Sequence, residues 1–248
     1  MTHDFSGRVV LVTGAYQGLG RATAARFLAQ GAQVVVNVRD GGRAGEVATA
    51  LGPGVMPVPG DVSRSDEIGR VVGAVLEAFG RLDILVNNAA AALTTRFLEI
   101  SEEEWRLAMD VNLTAPFLLT QAVTPAMKSR KFGRIINVSS TAGKSVSTLG
   151  GAHYTASKTA LLGLTRAAAR ELGPYGITVN AICPGLFDTE LTRRSASVKD
   201  LEGHAKAFPI PRLGEAVEVA DLICYLASEE AGYITGASID INGGDLMV

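Results

Sequence analysis

Short apolar, β-branched runs alternate with longer amphipathic stretches along this chain. The runs are Val9–Val12, Val34–Val38, Val55–Val58, Ile84–Val86, Ile135–Val138, Thr178–Ile182 and Ser238–Ile241. Between them, apolar residues recur at helical spacing near 18–30, 42–51, 64–79, 101–129, 153–173 and 215–227. Strands that are apolar on both sides need cover on both faces, so the pattern predicts an α/β fold. The sheet should be doubly wound, with about seven parallel strands and helices on both faces. Ser101-Glu-Glu-Glu104 reads as a capping box, and Gly31 and Gly80 fall where helices should end. No Pro/Ser-rich linker, charge block or repeat interrupts the alternation, which predicts one domain over 1–248. The longest stretch without periodicity, about 186–213, is expected to be a functional loop over the substrate.

Composition narrows this picture. With 47% hydrophobic and 19% charged residues, the 248-residue chain can bury a large core. A net charge of −2 gives no electrostatic reason to expect nucleic acid. Cys183 and Cys224 have no metal-like spacing, so no metal site is expected. The first residues lack a signal-peptide pattern, and no apolar run approaches the ~18 residues of a membrane span. A cytoplasmic protein with no membrane partner is the expectation.

Two local patterns carry chemistry. The first strand runs into Thr13-Gly-Ala-Tyr-Gln-Gly-Leu-Gly20, and a helix follows. Gly14, Gly18 and Gly20 permit a tight turn and close approach to a pyrophosphate, which the helix N-terminus would attract. An ordinary glycine-rich turn is the simpler alternative. Tyr154 and Lys158 lie four residues apart and share one helix face. Moving a phenol from a pKa of ~10 to about 7 takes roughly 4 kcal/mol. One ammonium ~4 Å away at an effective dielectric of ~20 supplies about that much. The pair by itself is common, and a half-buried Tyr beside a solvated Lys would look the same.

In order along the chain come Thr13–Gly20, Gly60-Asp-Val62, Asn87-Asn-Ala89, Asn112, Asn137-Val-Ser-Ser140, Tyr154–Lys158 and Pro184-Gly185. Together they resemble the classical short-chain dehydrogenase/reductase family, with a single Rossmann domain, over nearly the whole length. The resemblance implies an NAD(P)-dependent oxidoreductase that interconverts a carbonyl and a secondary alcohol. It implies that Asn112, Ser140, Tyr154 and Lys158 are catalytic. Tyr154 would be the general acid/base, Ser140 would hold the substrate oxygen, and Asn112 would hold a relay water. Lys158 would hold the nicotinamide ribose and lower the Tyr154 pKa. Tyr154 and Lys158 would also touch the cofactor, with Gly14, Tyr16, Gln17, Gly18, Leu19 and Gly20 at its phosphates. Asp61 and Val62 would flank the adenine, and Asn87 and Ala89 the ribose. Pro184, Gly185, Leu186 and Thr189 would grip the nicotinamide. Ser139 competes with Ser140, and Asp61 and Ser63 are both candidate helix caps. Ala90 stands where the family usually has Gly.

The second strand ends in Val36-Asn-Val-Arg-Asp40. Val38 stands where NAD-preferring relatives usually carry Asp, and Arg39 follows it as in many NADP-preferring relatives. The resemblance therefore favours NADP over NAD, although Gln17 is not basic and Asp40 would repel a phosphate. The loops Ala91–Leu93, Ser147–His153 and Leu186–Phe208 should set specificity, and their residues suit a weakly polar carbonyl. His153 is expected to be a partly exposed neighbour of Tyr154, and Arg193 and Arg194 to lie on a solvated lid face. The closest resemblance within the family is to 3-oxoacyl-acyl-carrier-protein reductases. These often carry a basic residue where this chain has Tyr175, although Lys128, Arg130 and Lys131 remain. Relatives commonly form homotetramers, which the long apolar helices near 101–129 and 153–173 would suit. The alternative reading is a non-catalytic dinucleotide-binding sensor or scaffold on the same fold.

Overall fold

The computed structural model describes residues 3–147, 149–195 and 198–248. Seven strands form one sheet: β1 (Val9–Thr13), β2 (Gln33–Val38), β3 (Val55–Pro59), β4 (Ile84–Asn87), β5 (Gly133–Val138), β6 (Ile177–Pro184) and β7 (Ser238–Ile241). Their order is β3-β2-β1-β4-β5-β6-β7, and every neighbouring pair is parallel. After β3 the chain crosses back to add β4 on the other side of β1. A crevice for ligands opens at such a switch point, outside the carboxyl ends of the strands.

Alternate strand side chains feed two core layers. Val10 and Val12 of β1 pack with Phe27 of α1 (Gly18–Ala29), Val47 of α2 (Gly41–Leu51), and Val219 and Ile223 of α9 (Ala216–Ala227). Val9 and Leu11 face the other way. They join Val71 and Val75 of α3 (Ser65–Phe79), and Leu119, Val123 and Met127 of α5 (Ala115–Arg130). Ala169 of α6 (Ala152–Leu172) completes that layer. Each central strand is therefore apolar on both sides, as its sequence suggested.

The helix expected over 101–129 is divided. It comprises α4 (Glu102–Met109), a π-helical turn at Asp110–Thr114, and α5. In that turn the Ala115 N–H reaches back five residues to the Asp110 carbonyl. The capping box opens α4 as expected: the Glu104 N–H donates to Ser101 Oγ at 3.2 Å, and the Ser101 N–H donates to Glu104 Oε2 at 3.4 Å. Gly80 closes α3 in the left-handed region, at φ +65°. The aperiodic 186–213 stretch carries two short helices, α7 (Glu190–Ser195) and α8 (Val198–Ala205). Each is too brief to print a helical period. Thr148, Ala196 and Ser197, within the expected specificity loops, lie outside the described residues. Among the described residues no helix is long and apolar enough to cross a membrane.

Candidate active site

A cleft of about 810 Å³ opens over the carboxyl ends of β1, β2, β4, β5 and β6. Gly14, Tyr16, Gln17, Gly18, Leu19 and Gly20 line one end. Helix α1 begins at Gly18, and its N-cap residue Gln17 makes no side-chain capping hydrogen bond. Gly14 and Gly18 have φ of +63° and +54°. A Cβ on Gly14 would stand 2.8 Å from Ala89 Cα, and one on Gly20 would stand 2.5 Å from the Gly14 carbonyl oxygen. A side chain at either position would therefore collide with backbone. Asn88 locks the loop to β4 by donating to the Thr13 and Gly14 carbonyls at 2.9 and 3.1 Å. This cradle, with the amino end of a helix at its floor, fits the phosphates of a dinucleotide.

Arg39, Asp61 and Val62 line the wall beside the end of β2, together with Asp40 and Arg43. Asp40 Oδ1 accepts the Arg43 N–H at 2.9 Å and so caps α2. The Arg43 guanidinium lies 4.9 Å from the Tyr16 ring centroid. Asp61 does not cap α3, whose N-cap is Arg64. It accepts the Ser63 N–H and hydroxyl at 3.0 and 2.7 Å, forming a local turn. Asn37 also lines this wall and donates to the Val58 and Gly60 carbonyls, each at 3.1 Å.

The deep end holds Ser140, Tyr154 and Lys158. Ser139 and Ser140 both line the cleft, but the buried Ser139 hydroxyl is engaged, donating to the Lys158 carbonyl at 3.0 Å. Ser140 Oγ accepts the Ala142 N–H at 3.1 Å and lies close enough to the Tyr154 hydroxyl to lower its pKa. Lys158 Nζ lies 5.8 Å from the Tyr154 ring centroid and donates to the Val138 carbonyl at 2.7 Å. Burial lowers the Lys158 pKa to about 8. Burial also holds the Tyr154 pKa above its ordinary value, against a smaller lowering by the Ser140 hydrogen bond. The spacing argument predicted the opposite direction. The physical reason is that desolvation of the phenol outweighs its stabilising contacts, and the ammonium is directed at a backbone carbonyl.

Asn112 does not line the cleft. Its Oδ1 accepts the Ala91 N–H at 2.8 Å, and its Nδ2 donates to the Ala91 carbonyl and to Ser157 Oγ, both at 3.0 Å. Ser157 in turn donates to the Tyr154 carbonyl at 2.8 Å. The π-turn thus ties the strand-end loop to the first turn of α6. Asn87 also lies behind the wall, donating to Asn137 Oδ1 at 2.8 Å, while Ala89 faces the cleft. His153 is fully buried rather than partly exposed, and its Nδ1 accepts the Tyr154 N–H at 3.0 Å. The local bond that turns the ring inward leaves no trace in the sequence.

Pro184, Gly185, Leu186 and Thr189 line the roof. Arg194 also lines it and donates to Gln17 Oε1 at 3.0 Å, whereas Arg193 faces out in a paired fork with Asp188 at 2.6 and 2.8 Å. Leu93, Leu107, Val111 and Leu149 make the rest of the deep wall apolar. Asn37, Asn88, Arg43 and Arg194 escaped the sequence-based site. Asn88 stood inside a quoted motif, but which of two adjacent asparagines bonds the glycine loop is fixed only by the strand's pleat.

Residues 14–245 match a family model described as enoyl-(acyl carrier protein) reductase. The chain is 38% identical over 247 residues to a 3-oxoacyl-acyl-carrier-protein reductase of Synechocystis, covering 98% of each. It is 38% identical to nodulation protein G of Rhizobium meliloti, covering 99% of each. A crystal structure of 3-oxoacyl-acyl-carrier-protein reductase from Brucella melitensis superimposes with a TM-score of 0.92 at 35% identity. That match covers 99% of this chain and 93% of the other.

Proposed function

Because the chain belongs to the short-chain dehydrogenase/reductase family, we propose that its cleft binds a nicotinamide dinucleotide from the glycine loop to Thr189, with Tyr154 as the proton-transfer group. The protein is an NAD(P)-dependent oxidoreductase that interconverts a carbonyl and a secondary alcohol. A bound nicotinamide supplies or accepts the hydride. The Ser140 hydroxyl holds the substrate oxygen, and the Tyr154 hydroxyl gives that oxygen a proton during reduction and takes it back during oxidation. A raised pKa keeps Tyr154 protonated at neutral pH, which suits the reductive direction. Lys158 holds the ribose hydroxyls, and its ammonium favours the phenolate once the proton has left. Asn112 and Asn87 act from behind, as positioning residues for α6 and the strand ends. The single observation that carries this reading is the meeting of Ser140, Tyr154 and Lys158 in one cleft with the glycine loop and the amino end of α1. A sensor or scaffold needs only the latter.

NADP is the preferred dinucleotide in this reading. Arg39 and Arg43 supply two cations at the end of β2, and the Asp40 carboxylate is turned onto the α2 backbone. The apolar deep wall suits an uncharged carbonyl. A carrier-linked 3-oxoacyl thioester is the first candidate, by analogy with the 3-oxoacyl-acyl-carrier-protein reductases that the chain resembles. Lys128, stacked 3.9 Å from the Tyr175 ring centroid, would meet an acidic carrier together with Arg130 and Lys131. A free ketone is the second candidate. The working unit is one cytoplasmic domain over 1–248, with 186–213 as the substrate cover, assembled as a homotetramer. Absorbance at 340 nm with NADPH or NADH against 3-oxoacyl thioesters, ketones and sugars tests the reading. Turnover of a carbonyl is expected. Firm dinucleotide binding without turnover of any of them would support the sensor instead.

A further inference from the structure

The first residue of α7 is a glutamate, and its carboxylate is directed at the glycine loop. Glu190 Oε2 accepts the Gly18 N–H at 3.1 Å. That N–H belongs to the first residue of α1, whose N-cap residue Gln17 supplies no capping side chain, and N–H groups at such an end attract anions. Two neighbouring contacts hold α7 in the same place. A Cβ on Gly18 would stand 3.3 Å from Thr189 Cβ, so the Thr189 side chain packs against the glycine loop. Four residues after Glu190, on the same helix face, Arg194 donates to Gln17 Oε1 at 3.0 Å.

We propose that Glu190 is an internal anion that competes with the dinucleotide phosphates for the amino end of α1, so that cofactor entry displaces its carboxylate. The proposal rests on the glycine loop being the phosphate site. One N–H cannot serve a carboxylate and a phosphate oxygen together, and like charges that close repel. Glu190 is exposed, so a rotamer change can move it into water. Arg194 stays at the loop when this happens, free to exchange Gln17 for a phosphate oxygen. Dinucleotide affinity is then set by the exchange of one anion for another, and the position of α7 reports which anion is bound.

Calorimetric titration of the wild type, Glu190→Gln and Glu190→Ala with NADPH, ADP and adenosine tests this. Both variants should bind NADPH and ADP about five- to tenfold more tightly, with adenosine unchanged, because adenosine carries no phosphate. Unchanged or weaker NADPH and ADP binding would overturn the proposal while leaving the cofactor reading intact. Equal tightening for adenosine would overturn it too, by showing general loosening of the cleft. Failure of all three proteins to bind NADPH, NADH or ADP would remove the cofactor reading itself, and this proposal with it.

Discussion

Tyr154 and Lys158 are four residues apart, yet their titration is governed by what encloses them. Burial raises the phenol and lowers the ammonium, the latter to about 8. Tyr154→Phe keeps the ring and removes the proton, so turnover should fall by at least about a thousandfold while dinucleotide still binds. Near-normal steady-state rates in that variant would reject the assignment. The buried ammonium also opposes folding. A lysine whose folded pKa lies below its unfolded value leaves the unfolded chain holding more protons between about 8 and 10.5. In that window the wild type gains stability as pH rises, by up to about 3 kcal/mol at 1.36 kcal/mol per unit. Lys158→Met lacks this gain, so its stability relative to wild type should be greatest near pH 7 and decline towards pH 10. Chemical denaturation at the two pH values measures the difference, and parallel curves would contradict it. The same variant should lose turnover and dinucleotide affinity. The pairing was legible from spacing, but the direction of the Tyr154 shift was not. Spacing gives the distance between two groups and says nothing of the desolvation that each suffers.

At the level of elements, the glycine loop and the π-turn do the positioning. Gly14→Ala would place a methyl 2.8 Å from Ala89 Cα at a positive φ. The backbone must shift, which should destabilise the fold by about 2 kcal/mol or more and abolish dinucleotide binding. Thermal unfolding together with a binding titration checks both effects. Asn112→Ala removes three hydrogen bonds that join the strand-end loop to α6. It should lower kcat more than it raises KM, and the nearly isosteric Asn112→Asp should not restore the two bonds that Nδ2 donates. A change in KM alone would place Asn112 among simple binding residues. Strand and helix positions were readable because each strand is buried on two faces and each long helix on one. The π-turn was not readable, since one extra residue inside a helix leaves the apolar stripe almost unbroken. Nor were α7 and α8, which are shorter than two or three helical periods.

For the whole molecule, Phe97, Leu98, Trp105 and Phe117 are exposed around α4 and the start of α5, with Leu98 at 94%. Large apolar side chains grouped in one part of the fold mark a surface that a partner covers. This agrees with the proposed homotetramer. Leu98→Glu combined with Trp105→Glu should shift the assembly towards dimers or monomers by sedimentation velocity, and an unaltered profile would move the interface elsewhere. The amino-acid sequence by itself determined the parallel α/β layering and the glycine cradle, which depend on periodicity and on local spacing. The proposed trio of Ser140, Tyr154 and Lys158 came from the resemblance of its ordered motifs to a known family. Only the tertiary structure decided that the Ser139 hydroxyl is engaged by the Lys158 carbonyl, that Arg43 and Arg194 reach the cleft, and that Glu190 sits on Gly18. Those outcomes require the ends of distant segments, 172 residues apart for Glu190 and Gly18, to be brought together. Chain connectivity does not encode such a meeting; the packing of both core layers against one sheet produces it.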